Sequence, residues 1–246
     1  MSVQNYDMQQ QGGDEKSMPA AMPSPAEALA AFINDDNFPC LMAKSAMNVG
    51  GLECITFKHM ACPAHDVAIL EFLYRFTDRY RNSNAGFCSA AVIFEQPVQL
   101  EEAQFENLLW QRLQALADLD AMRYSYDSRV SADPMDEKFS FSLKEEAFYV
   151  IGMHPASNRK ARRFSWPALI FNPHAQFESL RSAHKYERIK TLIRKRDITF
   201  SGSVNPMLDD FGKASETLQY SGRKYSEQWK CPLFSKHQHN DNNSTT

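Results

Sequence analysis

The residues best equipped for chemistry lie in one stretch, Gly152 to Phe177, which reads GMHPASNRKARRFSWPALIFNPHAQF. His154-Pro155 follows an apolar run, Ala147 to Met153, and Asn172-Pro173-His174 closes a second, Ala168 to Asn172. Between them stand Arg159, Lys160, Arg162 and Arg163. An imidazole can ligate a metal or haem iron. Guanidinium groups bind carboxylates or phosphates through paired hydrogen bonds. Strand ends are where a scaffold presents such groups. Two adjacent strands would bring His154, His174 and the arginines into one neighbourhood. The set suits haem, with iron on a histidine and propionates on arginines, or equally an anionic substrate. Residue types alone also allow a solvated basic loop flanked by histidines that cap strand ends.

Three other places hold reactive residue types. Cys40, after Phe38-Pro39, has the chemistry of a reactive thiol or thiolate ligand, although a lone Cys among apolar residues is more often simply buried. Cys54, Cys62 and His65 have a C-x7-C-x2-H spacing that is not a zinc pattern. Asp209 and Asp210 follow the turn-forming Gly202 to Met207. They could face a cationic group such as a guanidinium, or serve as first-turn helix acids. The chain has no P-loop, GxGxxG, GxSxG or HExxH, which removes the common nucleotide, dinucleotide, esterase and zinc-protease readings.

The elements that must position these residues follow from periodicity. Ser24, Pro25 and Glu27 form an N-cap, N1 and N3 signature for a helix through Phe32. Asn37-Phe38-Pro39 ends it. His65 to Tyr80 carries Ile69, Leu70, Leu73 and Phe76 on one helical stripe, and Leu100 to Leu119 carries Phe105, Leu109, Leu113 and Leu116. Strands are expected at Glu53 to Phe57, Phe87 to Phe94, Phe139 to Leu143, Ala147 to Met153 and Ala168 to Asn172. Gln176 to Arg196 reads as one basic helix, and Asp209 to Tyr220 as a last short one. Several strands follow one another without room for a helix. The expected fold is therefore α+β: a single domain with a mixed or mostly antiparallel sheet covered by helices.

Composition sets the limits. The chain has 246 residues, of which 43% are hydrophobic and 12% aromatic, enough for one well-filled core. Residues 1–25 read as a disordered leader, 26–234 as the folded domain and 235–246 as a polar tail. A formal net charge of -3 argues against general nucleic-acid binding. No apolar run is long enough to span a membrane, and the N-terminus lacks the pattern of a secretory signal. Five scattered cysteines point to a reducing compartment, the cytoplasm.

Phe38 to Cys40, the FSFSL strand, HPASNRKARRF, IFNPHAQFESLR and GSVNPML together resemble the YqcI/YcgG family over nearly all of the expected domain. That resemblance implies a haem-dependent N-oxygenase that hydroxylates a guanidino or amino nitrogen of an arginine-like small molecule. The cofactor would be haem b, with dioxygen as co-substrate and electrons from a separate donor; a homodimer is the assembly considered. His154 is then the expected iron ligand, with His174 as the alternative or as a catalytic distal group, and Cys40 a lesser option. Arg159, Arg162 and Arg163 would meet propionates or a substrate carboxylate. Glu178, Asp209 and Asp210 would face a cationic substrate. Two other readings stand beside the enzyme: a non-catalytic haem- or cofactor-binding protein, and a partner-binding protein using the basic face from Lys185 to Arg196.

Overall fold

The computed structural model describes residues 23–83, 86–203, 211–226 and 228–236. Its first element is α1 (Pro25–Asn34). The Glu27 backbone N–H donates to Ser24 Oγ at 3.3 Å and the Ser24 backbone N–H to Glu27 Oε2 at 2.8 Å, closing the expected capping box. A helix that periodicity had not shown, α2 (Leu41–Asn48), follows at once.

Five strands make one sheet. They are β1 (Leu52–His59), β2 (Ser89–Gln96), β3 (Phe141–Leu143), β4 (Glu146–Met153) and β5 (Ala168–Pro173). Their spatial order is β1-β2-β5-β4-β3. β1 and β2 run parallel, joined by a crossover through α3 (Asp66–Arg81), and every other pair is antiparallel. The sheet is thus mixed and the fold α+β, as expected.

Strand alternation divides the interior into two cores. On one face Ala90, Val92 and Phe94 of β2, Phe148 and Val150 of β4 and Leu169 and Phe171 of β5 pack under α3 and under α4 (Glu102–Asp120). On the other face Ala91, Ile93, Met153, Ala168 and Ile170 meet Leu29 and Ile33 of α1, together with Phe38 and Phe164. Gly152 belongs to the first face. A Cβ there would come within 2.7 Å of both Leu109 and Phe105, so the missing side chain lets α4 lie close against β4.

The single basic helix expected over Gln176 to Arg196 is two helices, α5 (His174–Ser182) and α6 (Tyr186–Ser201). The turn between them carries His184 at φ 55, a left-handed conformation that interrupts the helix. The last element is α7 (Thr217–Tyr220). Asp209 and Asp210 lie outside the described residues, as do most of the expected leader and tail. No helix among the described residues is long and apolar enough to cross a membrane.

Candidate functional site

The second face of the sheet carries a cleft of about 260 Å³, just below the roughly 300–1,000 Å³ usual for small-molecule sites. Its floor is Ile151 and Met153 of β4 and Ile170 and Asn172 of β5. Ile33, Cys40 and Ala43 close one part of the wall, and Ile189, Ile193 and Arg194 of α6 another. Position along a strand decides what reaches it. Tyr149, Ile151 and Met153 alternate with Phe148, Val150 and Gly152, and only the former set faces the cleft.

The same alternation separates the two histidines. His154 continues the Phe148, Val150, Gly152 series. Its ring stacks on Phe105 of α4, with centroids 4.3 Å apart and an interplanar angle of 22°. It is 1% exposed and its Nδ1 has no hydrogen-bond partner. Burial, with the nearby Arg162 charge adding, pushes its pKa down to about 4. His154 is not among the residues that line the cleft. The expectation that the two histidines and the arginines share one neighbourhood therefore holds only in part.

His174 does line the cleft. It opens α5 directly after β5 and is buried, 6% exposed. Both ring nitrogens face carboxylates. Nε2 lies 3.2 Å from Glu178 Oε1, one turn further along the helix. Nδ1 lies 3.5 Å from Glu216 Oε1 but without hydrogen-bond geometry. Glu178 is about half exposed and is also gripped by Arg181. Glu216 is buried; its Oε2 accepts from the Ser140 hydroxyl at 2.9 Å and the Tyr220 hydroxyl at 3.3 Å. Sequence reasoning did not single out Glu216. It sits just before α7 in a stretch with no motif, and no spacing links it to His174.

The arginines divide as well. Arg159 lines the cleft and pairs with Asp197 of α6. Arg162 also lines it and is 8% exposed. Its Nη1 donates to the Tyr220 carbonyl at 2.9 Å. Its stem passes over Gly222, where a Cβ would meet Arg162 Cδ at 2.7 Å and where φ is +81. Burial lowers the Arg162 pKa. Arg163 points away: it is exposed and donates to the carbonyls of Ser157 and Asn158. Cys40 stands on the cleft wall, but burial pushes its thiol upward, which keeps it protonated rather than a thiolate.

Among the described residues no group of three or more His, Cys, Asp or Glu side chains is arranged to hold a metal ion. Iron within a macrocycle asks less of a protein, needing only one or two axial ligands. The cleft has the residue types for that: one wall imidazole, a carboxylate beside its Nδ1, an apolar floor and cationic side chains.

Fold and site together define an α+β protein with a largely apolar, cation-rich cleft beside a buried histidine–carboxylate pair. The chain belongs to the YqcI/YcgG family, whose model matches residues 29–234. It is similar to the uncharacterized protein YqcI of Bacillus subtilis (strain 168), with 26% identity over 210 residues, covering 81% of this chain and 82% of that protein. No solved structure matches it.

Proposed function

We propose that this protein is a haem-dependent monooxygenase that N-hydroxylates a guanidino or amino nitrogen of a small molecule. The observation that carries the reading is the place of His174: a buried imidazole on the wall of an apolar cleft, with one nitrogen beside a buried carboxylate. Histidines that bind metals characteristically donate their second ring N–H to a carboxylate, which fixes the ring and raises its basicity. Glu216, 3.5 Å from Nδ1, would take that role once the ring turns to donate to it. Glu178, held by Arg181 and half exposed, can leave Nε2 free for iron. This reading transfers the ligand role from His154 to His174, since His154 is stacked under α4.

Bound haem would supply the iron at which dioxygen is reduced. The protein's own residues do the rest. Ile151, Met153, Ile170, Ile189 and Ile193 exclude water. Arg159 and Arg162 would meet carboxylates of the bound molecules, and Glu178, 3.2 Å from His174 Nε2, could orient a cationic nitrogen. One oxygen atom of dioxygen would enter the N–H bond, and the other would leave as water, taking two electrons from a separate donor and two protons from solvent. Five free cysteines support a reducing, cytoplasmic setting.

Absorption spectra of the haem-reconstituted protein, oxidised and reduced, with and without carbon monoxide, test this reading. A Soret band with imidazole-type ligation is expected in the wild type and in His154→Ala, and is lost or shifted in His174→Ala. No Soret band in the wild type would end the proposal. Haem binding without oxygen-dependent turnover of any amine or guanidine would leave the binding protein without catalysis as the better description.

A further inference from the structure

Among the described residues, five cationic side chains line the cleft: Arg159, Arg162, Arg181, Lys190 and Arg194. Three have carboxylate partners, namely Asp197 for Arg159, Glu178 for Arg181 and Glu187 for Lys190. The other two do not. Arg162 is nine-tenths buried, and among the described residues it has no carboxylate within ion-pair distance, only the carbonyls of Tyr220 and Gly152. Arg194 makes no hydrogen bond or ion pair with any described residue, and its buried Nε is unsatisfied. A cation removed from water without a counter-charge is costly. Arg162 is such a cation; Arg194, part-buried with its Nε out of water, shares the cleft, and Gly222 has no side chain where the stem of Arg162 passes.

We infer that Arg162 and Arg194 form the seat of a carboxylate, and that the cleft's ligand is an organic acid with an apolar body. The planar fork of each guanidinium matches a carboxylate, which accepts at both oxygens. The cleft they share is lined largely by hydrocarbon, with Ile151, Met153 and Ile170 on the floor and Ile193 on the wall. The charge count favours one negative charge over two. Against the two unpaired arginines stands Glu216, whose partners are hydroxyls and, at 3.5 Å, His174. With the Glu216 carboxylate set against one of the two arginines, a monoanion balances the cleft and a phosphate dianion overshoots. The inference rests on the cleft being the ligand site, as proposed above, but does not require haem. Two carboxylates have the right chemistry, a haem propionate or that of the substrate.

Isothermal titration calorimetry of the haem-free full chain with octanoate, octanamide and octyl phosphate tests the seat. Octanoate is expected to bind roughly tenfold or more tightly than octanamide, the usual margin for a charge-assisted pair of hydrogen bonds. Arg194→Gln is expected to abolish that margin. This variant loses no hydrogen bond or ion pair with any described residue, and its melting temperature checks that the fold is kept; Arg194→Lys should restore part of the margin. Absent octanoate binding, equal binding of octanoate and octanamide, a preference for octyl phosphate, or an undiminished margin in Arg194→Gln would each overturn the inference. A second arm finds the source by comparing haem with its dimethyl ester. If masking the propionates and Arg194→Gln weaken haem binding alike, the seat holds a propionate. If neither matters and octanoate still binds the haem-loaded protein, it holds the substrate's carboxylate. A missing Soret band with a preserved octanoate margin would remove the haem reading and leave this one standing.

Discussion

His154 lies flat against Phe105, with ring centroids 4.3 Å apart, and thereby ties the end of β4 to α4. The pairing makes stability depend on pH. Folding lowers the pKa of His154 from 6.5 to about 4, so between those values the unfolded chain binds more protons than the folded one. The stabilisation linked to the neutral ring is therefore complete above about pH 6.5 and drains away as the pH falls towards 4. The full effect is on the order of 3 kcal/mol. Chemical denaturation of the wild type and His154→Phe across that range should show a sloping curve for the first and a flatter one for the second. The substitution keeps the stack and should cost less than about 1.5 kcal/mol at neutral pH. Equal slopes would remove His154 as the sensor.

Gly152→Ala should destabilise the fold by about 1–3 kcal/mol, because the new methyl group meets Leu109 and Phe105 at 2.7 Å. Phe105 would have to shift, and with it the surface on which His154 rests. The melting temperature measures the loss. An unchanged value would mean that α4 can retreat at no cost.

Gly222→Ala attacks the cleft instead. The left-handed φ of +81 costs an L-residue roughly 1–2 kcal/mol, and the added methyl group displaces the stem of Arg162. Both effects should appear together, as a lower melting temperature and a weaker octanoate preference. Loss of stability with the preference intact would show that Arg162 has a second way past.

Asp197→Asn should loosen α6. This helix buries one residue, Asp197 itself, and is held by its pair with Arg159 and by Arg196, which donates to the carbonyls of Asp36 and Phe38. Removing one partner leaves a largely buried guanidinium unpaired. Amide hydrogen exchange in α6 is expected to quicken roughly tenfold or more while the sheet stays protected. An unchanged α6 would assign the hold to Arg196 and the isoleucines.

The amphipathic elements were legible from sequence, and the partition of the site was not. Phe105, Leu109, Leu113 and Leu116 announce α4 by period alone, and Ser24 with Glu27 announces the start of α1, because both signals are local. In β4, by contrast, Ala147 to Met153 is apolar on both faces, so no alternation in polarity tells which residues look towards the cleft. For that reason the sequence does not show that His154, the expected ligand, and His174, the alternative, lie on opposite faces of the sheet. The break at His184 was hidden too, since a non-glycine residue in the left-handed region leaves no mark in the apolar pattern. Glu216 becomes visible only when α7 is packed beside β4.

The two-sided sheet also bears on how this family can change. In β5, Leu169 and Phe171 hold the fold together while Ile170 and Asn172 face the cleft; in β4 the parity is the reverse. Substitutions can therefore reshape the cleft without touching what keeps the chain folded. Length changes have no such freedom. One residue added or lost within either strand would exchange the two sets, turning core residues into the cleft and cleft residues into the core. Variation in the strands of its relatives should thus run through exchanges of side chain at cleft positions, with insertions confined to the connecting loops.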